Sequence, residues 1–165
     1  MFRPPISGRT KISRKENRNK INTMLQTSIA LLKEDAIEKV VELTQQLNTT
    51  KTKAYLLEKH QEMFKYNGYH CFGLLYNKEL IGVCSGWSTV KLYSGKQLEL
   101  DNVIIDNNFQ SKGFGKLFVE QIEAWAQENN YKTMELNTYV ANGRSHKFYF
   151  NQGFEIIGYH FQKKI

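Results

Sequence analysis

From Val103 to Gly115 the chain reads V-I-I-D-N-N-F-Q-S-K-G-F-G. An apolar run stops at Asp106, a short polar turn follows, and two glycines open an amphipathic segment. A turn of this kind exposes unpaired N–H groups at a helix start, where the helix dipole adds positive potential, so it suits a phosphate or pyrophosphate. Gly113 and Gly115 allow close backbone approach, and Lys112 and Lys116 supply positive charge. A nucleoside-triphosphate loop is excluded, because Gln110 stands where its first glycine should be and Leu117 follows Lys116 in place of Ser or Thr. A dinucleotide fingerprint is excluded as well, because its third glycine falls on Phe118. What remains is Q-x-x-G-x-G directly after a strand. On its own it reads equally well as a glycine-rich turn that holds no ligand.

A second stretch, Asn142 to Phe154, reads N-G-R-S-H-K-F-Y-F-N-Q-G-F. The two stretches together resemble the acyl-CoA-binding motif, Q/R-x-x-G-x-G/A, and the closing motif, N-x-x-[AS]-x-x-F-Y-x-x-x-G-F, of the GNAT superfamily of N-acetyltransferases. The resemblance spans roughly residues 25 to 163. It implies an α/β (α+β) GNAT fold, with a central mixed, mostly antiparallel sheet of six to seven strands flanked by about four helices. It also implies acetyl-CoA as cosubstrate, no metal, and acetyl transfer to a primary amine of a small molecule or peptide by direct attack in a ternary complex. Relatives of this kind are often dimers, so a homodimer is among the expectations.

The resemblance assigns residues. The strands matching 97–106 and 132–139 splay apart, and acetyl-CoA lies in the gap. The backbone of Val103, Ile104 and Ile105 pairs with the pantetheine arm. Amides of Gln110, Ser111, Lys112, Gly113, Phe114 and Gly115, with Lys116, bind the pyrophosphate. The Asn142 side chain hydrogen-bonds the pantetheine or its surroundings, and Tyr149 sits near the thioester sulfur as general acid. A backbone N–H near Ile104 polarises the thioester carbonyl.

An alkylamine is mostly protonated near neutral pH and must lose a proton before it attacks a thioester. Strand 97–106 offers Glu99 and Asp101, on one face if its alternation is regular. Glu99 ranks slightly above Asp101 as base, acting directly or through water; either residue alternatively binds a substrate cation or makes a structural hydrogen bond. Tyr149 has its own structural alternative as a core tyrosine beside Phe148, and His146, one turn earlier, reads as structural. For the acceptor, the first helices, hairpin loops and C-terminal strand contribute Tyr55, Tyr66, Tyr69, Trp87, Tyr93, Tyr159 and His160, which suit an amine with apolar surroundings and cation–π contact. The competing function is a catalytically silent acyl-CoA-binding module, which need not keep both Tyr149 and a carboxylate on the central strand.

The elements that must position these groups follow from periodicity. Strands are expected at 26–31, 69–76 and 80–88, with a hairpin extending through 89–97, then at 97–106, 132–139 and 154–163. Helices are expected over 33–48, 53–66, about 113–129, and from Asn142 to about Asn151. The hairpins in the first half imply a mixed sheet. With Asn77-Lys78 as a turn, Tyr76 faces Glu79 and Cys71 faces Cys84; the two cysteines read as small buried side chains, a cross-strand disulfide being the alternative.

The chain has 165 residues, 41% of them hydrophobic and 13% aromatic, a globular composition sized for one domain. No run approaches the ~20 apolar residues that span a bilayer, and the N-terminus lacks the apolar core of a secretory signal, so a cytoplasmic protein is expected. The net charge of +7 sits at one end. Residues 1–23 carry seven bases and one acid, leaving 16 bases and 15 acids for residues 24–165. Residues 1–23 are expected to be a flexible basic arm or a non-native extension, and 24–165 the catalytic domain. No aromatics interleave with the arm's charges, which argues against a nucleic-acid partner. Deleting residues 1–23 is expected to leave acetyl-CoA affinity unchanged within about twofold while removing any salt-dependent nucleic-acid binding; calorimetry and gel shifts on the truncated chain check both.

Overall fold

The computed structural model describes Thr23 and residues 26–165. Apart from Thr23, the expected basic arm lies outside the described residues. The elements run β1 (Thr27–Leu32), a 3₁₀ turn (Glu34–Ala36), α1 (Ile37–Leu47), α2 (Lys53–Phe64), β2 (Tyr69–Tyr76), β3 (Glu79–Lys91), β4 (Gly95–Ile105), a second 3₁₀ turn (Asn107–Phe109), α3 (Phe114–Glu128), β5 (Thr133–Leu136) and α4 (Gly143–Phe150). The sheet order is β1-β2-β3-β4-β5. The first three pairings are antiparallel and β4–β5 is parallel, so the sheet is mixed and mostly antiparallel, as expected, with four α-helices about it among the elements described.

Hydrophobic alternation assigns the two faces of the sheet. Phe72, Leu74, Cys84, Leu98, Leu100 and Ile105 form one core with Phe114, Phe118 and Ile122 of α3. Cys71, Val83 and Ile104 on the opposite face pack with Val40 and Leu43 of α1, and Ile37, Val41 and Leu56 seal α1 against α2. Phe72 and Phe118 are fully buried, and a side chain of that size contributes about 1.5–3 kcal/mol on leaving water. The α1 stripe is narrower than its periodicity predicts, since Leu47 at the helix end is 47% exposed. On α2 the buried positions are Leu56 and His60.

Two bulges decide which side chains share a face. In the β2–β3 hairpin, Asn77 and Lys78 both have positive φ (51° and 69°), the signature of a two-residue turn whose twist matches the strands. Tyr76 pairs with Glu79 as the turn predicts, but the register slips between Leu74 and Leu75, with Ile81 as the extra residue. Cys71 therefore faces Ser85, and Cys84 faces Phe72. The expected Cys71–Cys84 pair does not form: the thiols belong to opposite faces, and both are free and buried. The second bulge lies in β4, where Ser85 pairs with Asp101 and Val83 with Ile104, so that Cys84 alone of β3 stands against Asn102 and Val103 of β4. Asn102, with φ of 50°, takes up the extra step.

Among the described residues the sheet has five strands where six to seven were expected. β5 is four residues long rather than eight, and the expected strand over 154–163 is extended chain with no ladder. Its Ile156, Ile157, Tyr159 and Phe161 are 68–90% exposed. Branched and aromatic residues favour a strand only where a neighbour accepts their backbone groups, and β5 offers a ladder too short to recruit this segment. No helix among the described residues is long and apolar enough to cross a membrane.

Two histidines are folded into the structure in a way that pH reads out. His60 is 2% exposed, and His70 bonds Ser88 Oγ at 2.8 Å and Tyr131 Oη at 3.1 Å. Desolvation is the main cause that lowers the pKa of each; for His70 the Lys96 charge adds to it, while for His60 the Asp101 charge partly opposes it. A depressed folded-state pKa means that the unfolded chain binds the proton first. The stabilising contribution is therefore complete above the ordinary histidine value, about 6.5, and is lost as pH falls through the lowered folded values. Thermal melts are expected to show a stable plateau at pH 7–8 and a falling Tm from about pH 6.5 downward, with the decline reduced in a His70→Gln variant.

Candidate functional site

β5 pairs with β4 only from Gln97↔Thr133 to Leu100↔Leu136. Beyond Leu100 no strand among the described residues covers the outer edge of residues 101–105, and the bulge at Asn102 begins at that point. Past the bulge the alternation is reset: Ile104 joins the α1 core, while Val103 and Ile105 join the α3 core. The β4–β5 ladder thus ends at Leu100, and the space past it, termed the wedge, has the backbone of Val103, Ile104 and Ile105 along its β4 side. An extended ligand with amide groups fits such an edge by the hydrogen bonding a strand would use.

The turn after β4 is built by side chains that hold the backbone in place. Asp106 caps the 3₁₀ turn, its Oδ1 accepting from Asn108 N–H at 2.8 Å. This bond, more than any other influence, lowers the Asp106 pKa. Gln110 Nε2 donates to the Ile105 carbonyl at 2.9 Å and to Asn107 Oδ1 at 3.0 Å. Of the phosphate-loop residues, Gln110 therefore serves as an internal brace. Ser111 (φ 61°) and Gly113 (φ 89°) then turn the chain into α3. Gly113 is the helix N-cap, with no side chain capping it, and a Cβ there would meet nothing within 4 Å. Phe114 anchors the helix start, its ring 5.0 Å from Tyr76 and 5.9 Å from Phe109. A Cβ on Gly115 would lie 3.5 Å from the Phe148 ring, an ordinary contact, so the protein's own packing accommodates alanine there.

These features fit a diphosphate: an uncapped helix start, an open cradle over Gly113, and two nearby lysines. Lys112 Nζ donates to the Asn108 carbonyl at 2.7 Å and lies 5.4 Å from the Phe109 ring centre. Lys116 Nζ pairs with Glu120 at 2.6 Å. An exposed i,i+4 pair is worth about 0.3–0.5 kcal/mol, so Lys116 can leave Glu120 for a stronger anion.

Glu99 and Asp101 share the face opposite α3, as regular alternation up to the bulge requires. Glu99 pairs with Trp87 and Glu135, and Asp101 with Ser85. Glu99 accepts from Asn137 Nδ2 at 2.9 Å. Asp101 accepts from Asn102 N–H at 2.8 Å and Asn102 Nδ2 at 2.9 Å. Tyr149 on α4 is half-buried between Phe148 and Phe154, with ring centres 5.1 and 5.5 Å away. Burial pushes its hydroxyl up to about 12, with the Cys84 and Asp101 charges adding to the effect. Asn142 is the N-cap of α4, its Oδ1 accepting from Ser145 N–H at 3.1 Å. His146 bonds the Tyr139 carbonyl through Nε2 at 3.0 Å, a structural tie.

Among the aromatics expected around the acceptor, Tyr66, Tyr69 and Trp87 come together, with Tyr69 and Trp87 ring centres 4.8 Å apart and Tyr66 and Trp87 6.2 Å apart. Tyr69 Oη bonds Ser85 Oγ at 3.1 Å. Tyr55, Tyr93 and Tyr159 are 42–87% exposed. Sequence reasoning missed Glu135, Asn137 and His60. The first two join Glu99 only because β5 runs parallel to β4, a pairing with no local signal. His60 Nε2 lies 3.0 Å from Thr44 Oγ1, whose own proton goes to the Val40 carbonyl at 2.9 Å. His60 Nε2 is therefore the donor, and the buried Nδ1 is left without a partner. Among the described residues no cluster of three or more His, Cys, Asp or Glu side chains is placed to hold a metal ion.

Comparison with known proteins adds three findings. The model of the acetyltransferase (GNAT) family matches residues 23–154. An uncharacterized N-acetyltransferase, YhdJ, of Bacillus subtilis (strain 168) is 24% identical over 110 residues, 66% of this chain and 78% of that protein. Among solved structures, a putative acetyltransferase from Agrobacterium tumefaciens str. C58 superposes with a TM-score of 0.72 at 20% identity, covering 84% of this chain and 99% of the other. The aminoglycoside N-acetyltransferase AAC(6')-Iy in complex with CoA superposes with a TM-score of 0.72 at 16% identity, covering 84% and 94%.

The two glycines of the turn are expected to differ in what they tolerate. Gly113→Ala places a side chain at φ 89° and is expected to lower stability by about 1–2 kcal/mol. Gly115→Ala, the alternative that the motif itself admits, is expected to shift the melting temperature by no more than about 2 °C and to leave CoA affinity unchanged. Paired melting and titration of both variants check this.

Proposed function

Because the chain belongs to the GNAT family of acetyltransferases, we propose that it transfers the acetyl group of acetyl-CoA to a primary amine of a small molecule or peptide, by direct attack in a ternary complex. The observation that carries this reading is the end of the β4–β5 ladder at Leu100, followed after one connecting turn by the uncapped start of α3 at Gly113. In this reading the wedge takes the pantetheine along Val103–Ile105, and the first-turn amides of α3, with Lys116, take the diphosphate. The thioester supplies the activated acetyl group and the thiolate leaving group.

The chain's own residues then have distinct tasks. A carboxylate on β4, Glu99 or Asp101, takes a proton from the ammonium, directly or through one water, so that the nitrogen lone pair is free to form the new C–N bond as the C–S bond breaks. A backbone N–H on β4 near Ile104 donates to the carbonyl oxygen, where negative charge develops. Tyr149, held protonated by burial, donates to the departing sulfur. A phenol near 12 is a weaker acid than a thiol of ordinary pKa, about 8.5, so Tyr149 stabilises the thiolate by a hydrogen bond rather than by surrendering its proton outright. The acceptor approaches over Trp87, Tyr69 and Tyr66, beside Glu99 and Glu135. This aromatic and acidic face suits a cationic amine. The aminoglycoside acetyltransferases among the similar folds accord with a small-molecule amine, though at 16–17% identity they share only the fold.

Titration with acetyl-CoA, followed by a thiol-release screen over an amine library, tests the reading: binding with release for some amine is expected. Binding with release for no amine, peptide amines included, would favour a silent acyl-CoA-binding module. In the active reaction Tyr149→Phe is expected to lower kcat by about a hundredfold with acetyl-CoA affinity held within about twofold. Unchanged turnover would remove Tyr149 from the chemistry.

A further inference from the structure

Gln46, near the end of α1, makes a pair of bonds that neither the family motifs nor the proposed chemistry uses. Its Nε2 donates to Asp106 Oδ2 at 3.1 Å, and its Oε1 accepts from Asn107 N–H at 3.0 Å. The partners lie 60 and 61 residues away in sequence, in the turn that leads from β4 into the candidate phosphate loop. Both ends of one half-buried amide are thus fixed on consecutive residues of that turn. Asp106 in turn holds Asn108 N–H, and Lys112 reaches back to the Asn108 carbonyl, so the constraint continues to within one residue of Gly113.

Two positions earlier on the same helix, Thr44 bonds His60 of α2 at 3.0 Å. Successive helical residues are about 100° apart, so Thr44 and Gln46 point to nearly opposite sides of α1. One side is joined to α2, whose end carries Phe64, packed edge-on to Tyr69 at 5.4 Å, next to Trp87 on the acceptor face. The other side is joined to the cofactor turn. α1 therefore bridges the two halves of the site, with Thr44 adding to the apolar seal of Ile37, Val41 and Leu56 on one side and Gln46 bonding the turn on the other.

We propose that Gln46 is a positioning residue that locks α1 and α2 to the turn before the phosphate loop, so that acetyl-CoA binding at the loop also orders the helices beside the acceptor face. This rests on the acetyl-CoA reading given above. By linkage, whatever acetyl-CoA gains from ordered helices, the acceptor gains from loaded cofactor. The charged groups around the Gln46–Asp106 bond are few. Lys39 of α1 attracts Asp106 and is itself paired with Glu42 at 3.0 Å, and Glu79 acts on Lys39 from the start of β3.

Two substitutions test the proposal on the full chain. Gln46→Leu removes both bonds, whereas Gln46→Glu keeps the acceptor for Asn107 N–H but places a carboxylate against Asp106. Titration with acetyl-CoA is expected to show affinity reduced about tenfold in Gln46→Leu. In Gln46→Glu the loss is expected near pH 7.5 and largely recovered near pH 5, where the two carboxylates share a proton, relative to wild type at each pH. Hydrogen exchange is expected to slow over residues 37–64 when acetyl-CoA binds the wild type, and to show no such slowing in Gln46→Leu at saturating acetyl-CoA. Wild-type affinity in Gln46→Leu, the same helix protection in that variant, or a Gln46→Glu protein without its own pH dependence would each overturn the proposal. If Gln46→Leu does not fold, Gln46→Glu decides alone. A wild-type protein that binds no acetyl-CoA would fail the underlying reading, and this proposal with it. A failure of the Gln46 link alone leaves wild-type binding intact.

Discussion

The parting of β4 from β5 is the constraint on which the rest of the site depends. Four residues of parallel pairing hold the two strands together; then a bulge at Asn102 adds a residue to β4 and resets which side chains face which core. Without the extra residue, Ile104 would face α3, and the apolar groups past the bulge would exchange environments. With it, Asp101 stays on the open face, Ile104 and Ile105 bury on opposite faces, and the outer backbone edge of 101–105 is left uncovered.

The two glycine-flanked ends of this wedge are held by different means. Where the turn enters α3, the backbone is braced from within by Gln110, Asp106 and Gln46, and no side chain caps the helix. At the start of α4, Asn142 caps the helix with its own side chain, and His146 ties that helix to the preceding loop. The polar side chains of the turn therefore satisfy one another, while the start of α3 is left without a side-chain cap. That division is what an anion site requires, since a donor already engaged in the fold contributes little to binding.

Much of this was legible in the sequence. The helix and strand periods placed the nine described strands and helices within a few residues, and the two motifs located the turn, α4 and Tyr149. Glu99 and Asp101 share a face as alternation requires. What escaped has a common cause: it depends on register between segments distant in sequence. One extra residue at Ile81 moved Cys71 off Cys84. The shortness of β5 and the unpaired 154–163 segment reflect which neighbours are available, not propensity. Glu135 and Asn137 reach Glu99 through a parallel pairing, Gln46 meets Asp106 across 60 residues, and His60 looked like any polar residue on a helix until its burial against Thr44 was seen.

The central claim, that the wedge and the turn after β4 form one acyl-CoA site, is tested most directly by a crystal structure of the chain with CoA. The account predicts the pantetheine hydrogen-bonded along Val103–Ile105, the diphosphate on the amides that open α3 with Lys116 turned from Glu120 toward it, and the sulfur beside the Tyr149 hydroxyl. CoA bound elsewhere, or a diphosphate lying away from Gly113 and Gly115, would contradict it.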